Sequence, residues 1–110
     1  MKKITEEAVN AFYWKQNKSL GNTKIVYNKQ LDIVNLYLHD NKIAELDNNN
    51  LFISSCWWNT TTTKERLNWV LDRYQMYIQQ RNYIWYLVDR KTEEQVRFKV
   101  WNEIKNVRIF

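Results

Sequence analysis

Proline is absent from the sequence, glycine occurs once (Gly21), cysteine once (Cys56) and histidine once (His39). Without proline and with a single glycine, the chain must reverse direction mainly at Asn and Asp, which tolerate left-handed backbone. One cysteine excludes an internal disulfide and leaves no thiolate cluster for a structural zinc, which fits a reducing compartment. No apolar run approaches the roughly 20 residues that span a bilayer. The opening Met1-Lys2-Lys3-Ile4-Thr5-Glu6-Glu7 lacks the apolar continuation of a secretion signal. A cytoplasmic protein without a membrane partner is therefore expected. Neither a glycine-rich phosphate loop nor paired carboxylates at metal-ligand spacing occur, so no cofactor and no metal site are expected.

Apolar residues make up 45% of the chain and aromatic ones 15%, enough for the core of one domain over residues 1–110. The net charge of +5 is unevenly spread. Residues 1–56 carry seven lysines against six acids, whereas residues 57–110 carry ten bases against six acids. All six arginines (Arg66, Arg73, Arg81, Arg90, Arg97 and Arg108) lie in the second part. Arginine binds carboxylate and phosphate in a bidentate manner and stacks on aromatic rings, so the contact surface is expected there.

Thr5 can cap a first helix, with Glu6 and Glu7 at its positive end and Val9, Phe12 and Tyr13 at helical spacing to about Gln16. Lys24-Ile25-Val26-Tyr27 reads as a strand. In Ile33-Val34-Asn35-Leu36-Tyr37-Leu38 the apolar positions alternate as a strand requires. Asp40-Asn41 predicts a tight reversal into Lys42-Ile43-Ala44-Glu45-Leu46, and Asn48-Asn49-Asn50 a second into Leu51-Phe52-Ile53-Ser54-Ser55-Cys56. The result is a four-stranded antiparallel meander. Continuing its last strand would place Trp57 on the face of Leu51 and Ile53, under a covering helix, and Trp58 on the opposite face.

Thr62 with Glu65 has capping-box spacing, and Leu67, Val70, Leu71 and Tyr74 at i, i+3, i+4 and i+7 form the apolar stripe of a helix over about 63–74. Met76 to Gln79 and Tyr83 to Val88 predict a hairpin around Gln80-Arg81-Asn82. The closing segment is ambiguous. Val96, Phe98 and Val100 alternate as a strand would, while Thr92 with Gln95 and the spacing of Val96, Val100, Trp101 and Ile104 favour a helix over 93–105. The expected fold is α+β: an antiparallel β-meander packed against a capped amphipathic helix, with a flanking N-terminal helix and a C-terminal hairpin plus helix or strand.

His39 beside Asp40 has the composition of a general base, but no nucleophile is tied to it by spacing, so it reads as a turn residue. Cys56 reads as a small buried hydrophobe. No catalytic residue is expected, and the protein reads as non-enzymatic. The constellation Arg66, Trp69 and Arg73, at i, i+3 and i+7, forms a second stripe beside the apolar one. An outward Trp69 between arginines could anchor a protein interface or stack on a nucleobase. The alternative is an internal cation-π pair. Arg81 and Arg97 complete the candidate partner-binding residues.

Asn, Lys, Ile and Tyr, all with AT-rich codons, are abundant, as in a low-GC bacterium or its phage. The segments Gly21-Asn22-Thr23, Leu36-Tyr37-Leu38-His39-Asp40-Asn41-Lys42-Ile43-Ala44, Leu51-Phe52-Ile53-Ser54 and Trp58-Asn59-Thr60-Thr61-Thr62-Thr63-Lys64-Glu65-Arg66-Leu67-Asn68 carry a resemblance. With Tyr77-Ile78-Gln79-Gln80 and Ile84-Trp85-Tyr86-Leu87, they resemble a widespread group of small bacteriophage and prophage proteins of unassigned function, over about residues 20–88. In that group glycine stands where this chain has Asp40 and Trp57. The resemblance implies a phage protein with a sheet-plus-helix fold and transfers no catalytic residue. Small phage accessory proteins often antagonise host defence, so it also implies a partner of host protein or nucleoprotein, as for an anti-CRISPR. A nucleic-acid-binding accessory protein is the alternative, on the arginine-rich, aromatic second half.

Overall fold

A computed structural model of the protein describes residues 2–48 and 50–104. The first helix, α1 (Lys2–Tyr13), turns Ala8, Val9, Ala11 and Phe12 inward. It ends in a Schellman motif: Lys15 adopts φ 57°, and the N–H groups of Gln16 and Lys15 donate to the carbonyls of Ala11 (2.9 Å) and Phe12 (3.3 Å). Thr5 does not cap this helix. It lies inside α1, fully buried, because its hydroxyl is bonded to Glu65 and Arg66 of a second helix.

Five strands follow: β1 (Lys18–Leu20), β2 (Thr23–Asn28), β3 (Ile33–Leu38), β4 (Asn41–Asp47) and β5 (Asn50–Ile53). They pair antiparallel in sequence order, and the late strand β9 (Asn102–Ile104) adds to the edge of β5. The expected meander is thus the centre of a six-stranded sheet. Ile25, Val34, Leu36, Leu46, Leu51 and Ile53 form its buried face. The β3–β4 reversal sits one residue earlier than expected, at His39 (φ 50°) and Asp40 (φ 65°), with Leu38 opposite Asn41. Two positive φ angles make the primed turn whose twist matches the flanking strands.

The helix α2 (Thr61–Leu71) starts earlier than the capping-box reading predicts. Thr60 is the N-cap; its hydroxyl accepts from the N–H of Thr63 at 3.1 Å. Thr62 is not the cap, and Glu65 turns to Arg66 at 2.7 Å instead of reaching back along the chain. Leu67, Val70 and Leu71 are fully buried, as the stripe predicts, and Tyr74 follows them inward from a short 3₁₀ turn (Asp72–Tyr74). Both helices pack on the inner face of the six-stranded sheet.

A second sheet contains β6 (Met76–Arg81), β7 (Ile84–Asp89) and β8 (Gln95–Arg97). Its hairpin turns at Asn82 (φ 52°) and Tyr83 (φ 67°). The Asn68 side chain accepts from the N–H of Ile78 at 2.7 Å and fastens β6 to α2, so Ile78, Trp85 and Leu87 join the same core cluster as the larger sheet.

The closing segment is extended through β8 and β9, and the helix expected over 93–105 does not form among its described residues. Glu93 at φ 62° stops a helix at its start, and the Thr92 hydroxyl accepts from Glu94 within a turn. Phe98 packs edge-on against Trp85, and its N–H donates to the Trp85 carbonyl at 2.9 Å. The Asn102 amide then donates to the carbonyls of Ile53 (3.2 Å) and Lys99 (2.9 Å), which seats β9 on β5. Residues 105 and 108, whose basic charge favoured a helix, lie outside the described residues.

Candidate functional site

Trp57 and Trp58 are not core residues. β5 ends at Ile53, and the Ser54 hydroxyl accepts from the N–H of Cys56 at 3.0 Å while Cys56 Sγ donates to the Lys42 carbonyl at 2.8 Å. This turn puts Cys56 and Trp57 at φ 51° and 68°, and strand alternation is lost. Trp57 is 82% exposed and Trp58 61%. Asp40 and Trp57 stand where the resembled phage group has glycine, and both have the positive φ that glycine adopts without strain.

The stripe Arg66, Trp69 and Arg73 does not face solvent as one surface. Arg66 is only 2% exposed. Its Nε donates to the Thr23 hydroxyl at 3.2 Å, and Nη1 donates to Glu65 Oε1 at 2.7 Å and to the Thr5 hydroxyl. The reason is that α1 covers that flank of α2. Thr63, Arg66, Leu67 and Val70 are themselves at i, i+3, i+4 and i+7, the one sequence signal that placed Arg66 inward. Trp69 is half-buried against the core, beside Asn68, Asp72 and Arg90. Arg73 stacks on Tyr13, with its guanidinium carbon 4.2 Å from the ring centre.

Arg81 and Arg97, the remaining candidates, are brought together. Strands β6, β7 and β8 present one outer face on which Tyr86 lies opposite both Gln79 and Arg97. The Arg81 guanidinium lies over the Tyr86 ring at 4.4 Å and donates to Gln95 Oε1 at 2.5 Å. Arg90 lies 5.4 Å over Tyr77 on the same face and pairs with Asp72 at 2.8 Å. Neither Arg81 nor Arg97 has a carboxylate partner among the described residues. Arg108 lies outside the described residues.

A separate cleft of about 420 Å³ opens between the β3–β4 turn and the amino end of α2. His39, Asn41, Ser55, Trp58 and Thr62 supply its polar and aromatic lining over an apolar floor that includes Ile43. His39, read from sequence as a turn residue, is one; its Nε2 lies 3.3 Å from the Asn22 amide. Sequence spacing missed this cleft because its walls come from three separate segments. The Trp-Trp pair and the threonine run were its visible signals. Among the described residues no His, Cys, Asp and Glu cluster could hold a metal ion, and no described helix is long and apolar enough to cross a membrane.

A family model described as Kyanoviridae Gp96 protein matches residues 1–105. No curated protein and no solved structure matches the chain. The match spans both helices and both sheets, and the expectation of a phage protein is met by it. The chain belongs to the Kyanoviridae Gp96 protein family, a family of phage proteins.

Proposed function

We propose that this protein is a non-enzymatic, phage-encoded binding protein. It occupies an acidic surface of a host protein or nucleoprotein in the cytoplasm of the infected bacterium, in the manner of an anti-CRISPR or another inhibitor of host defence. The observation that supports this reading is the Arg81–Tyr86–Arg97 face, where two exposed arginines flank one tyrosine and neither has a carboxylate partner among the described residues. Stacking on Tyr86 holds the Arg81 fork in place, and a pre-organised fork loses less freedom when it meets a carboxylate.

A nucleic-acid partner is the second reading, favoured by the arginines that β6, β7 and their flanks carry. Against it, Arg81 already covers Tyr86 and Arg90 covers Tyr77, so one face of each ring is taken and the bases have less to stack on. The test is a tagged pull-down from host lysate, with and without nuclease, comparing the unmodified chain with an Arg81→Glu, Arg97→Glu variant. A defined protein retained after nuclease by the unmodified chain and lost from the variant is the expected result. Loss of all partners on nuclease treatment, with binding that falls steeply between about 50 and 200 mM salt, would replace it with the nucleic-acid reading. Equal retention by the variant would remove this face.

A further inference from the structure

We propose that the outer face of the six-stranded sheet is a homodimer interface, on which a second copy of this chain packs about a two-fold axis running across the strands. The inference does not depend on the arginine–tyrosine face, which lies on the other sheet.

The face follows from strand alternation and register. Both helices cover the side of the sheet that carries Ile25, Leu36 and Ile53, so the alternate side chains point away from the core. They stand in rows across the strands. Tyr37 lies between Lys24 and Lys42 in the first row, Asn35 opposite Glu45 in the second, and Ile33 opposite Asp47 in the third. Val26, which is 38% exposed, and the half-buried Phe52 extend the middle row. The β-bulge opposite Leu36 and Tyr37 buries both Ile43 and Ala44, which leaves Lys42 and Glu45 outward together, 2.7 Å apart.

Charge along the strands decides what this face fits. The first row carries two lysines and the third carries Asp47, so the face is positive at one end and negative at the other. Lys24 lies 5.4 Å over the Tyr37 ring, and neither it nor Asp47 is in an ion pair among the described residues. Two such faces attract when one is turned end for end. A dyad across the strands does this: it keeps each strand over its own copy and reverses the rows, so Lys42 of each chain meets Asp47 of the other and Tyr37 meets Ile33. Glu45 meets its own copy, each held by the Lys42 beside it. A dyad along the strands would instead set the lysine row on itself.

Asn35 supplies the independent observation. Its Oδ1 is buried and has no hydrogen-bond partner among the described residues, in the middle row of β3. The dyad across the strands brings the two Asn35 side chains together, where the amide nitrogen of each can donate to Oδ1 of the other. Sheets aligned in this way have the ordinary geometry of a sandwich.

The test follows the mass of the full chain by sedimentation equilibrium from micromolar to millimolar concentration. It compares the unmodified chain, Lys42→Glu, Asp47→Lys and an equal mixture of the two variants. The unmodified chain is expected to reach twice the 13.6 kDa of one copy. Each variant alone sets like charge on like charge at both symmetric contacts, so it should dimerise at least about ten-fold more weakly. The mixture restores opposite charges at both contacts and should dimerise more tightly than either variant. Both side chains lie outside the core, so the variants keep the fold. Dilution of the unmodified chain should also shift the amides of Asn35, Glu45 and Phe52 and leave those of Trp57 and Tyr86 in place, a readout that needs no variant. A chain that stays monomeric at millimolar concentration overturns the proposal and leaves the face to a different partner. It is equally overturned if either variant dimerises as well as the parent, if the mixture is no tighter than its components, or if the dilution-sensitive amides lie elsewhere.

Discussion

Arg66 Nε donates to the Thr23 hydroxyl at 3.2 Å, joining α2 to β2 where solvent is excluded from both partners. The same guanidinium holds Glu65 and, through Thr5, the first helix, so three elements meet on one charge. Replacing Arg66 by Ala should lower the unfolding free energy by about 3 kcal/mol or more, the usual effect of removing one partner of a buried ion pair. Arg66→Lys should also destabilise, because an ammonium cannot reach Thr23 and Glu65 with one planar fork. Urea unfolding at neutral pH measures both, and an Arg66→Ala variant as stable as the parent would refute the role.

The threonine run supplies an internal control. Thr60→Ala removes the N-cap oxygen and should cost about 1 kcal/mol, whereas Thr62→Ala, at the second helical position and half-exposed, should change stability by less than about 0.5 kcal/mol. The opposite order would restore the capping box that the sequence spacing suggests.

Trp57 is 82% exposed and holds φ 68°. Left-handed backbone at a bulky residue is disfavoured by about 1–2 kcal/mol, and glycine relieves it. Trp57→Gly should therefore raise the thermal midpoint, although it removes a large aromatic side chain. A lowered midpoint would mean that the indole contributes more by packing than its exposure suggests.

Tyr13 donates from its hydroxyl to the Val70 carbonyl at 2.5 Å, occupying a carbonyl in the last turn of α2. Burial first, and then the neighbouring Tyr74, push the Tyr13 hydroxyl well above its usual ionisation near 10.0. A raised acid is neutral in the folded state while the unfolded chain ionises. Its contribution is thus fully present below pH 10 and is lost as pH rises from there toward the folded-state value. Tyr13→Phe should cost about 1 kcal/mol at pH 7 through the lost hydrogen bond. It should also flatten the decline in stability above pH 10, measured by urea midpoints across pH 8 to 11. An unchanged slope would exclude Tyr13 as the group responsible.

Features set by neighbours along the chain were legible. Alternation over Ile33 to Leu38 identified β3 with its bounds, and the spacing of Leu67, Val70 and Leu71 identified the buried stripe of α2. Turn chemistry placed the β3–β4 reversal to within a residue, because Asp40 tolerates positive φ, whereas the β6–β7 turn falls at Asn82 and Tyr83, the end of the expected Gln80-Arg81-Asn82. The candidate site was legible in its chemistry and not in its assembly. The sequence flagged Arg81 and Arg97, but β-pairing across Tyr86 is what sets them on one face.

What the sequence by itself determined was therefore the local period: which segments could be strands, which stripe of α2 must be buried, and that arginine gathers in the second half. Tertiary structure decided the rest. Residues 95–97 and 102–104 became strands because β7 and β5 offered open edges, and Arg66 turned inward because α1 brought Thr5 to it across 61 positions. Trp57 and Trp58 turned outward because Cys56 bonded to Lys42 on a neighbouring strand. In each case the partner is remote in sequence, so its hydrogen bond or packed surface outweighs a local preference worth only a few tenths of a kcal/mol to about 1 kcal/mol per residue.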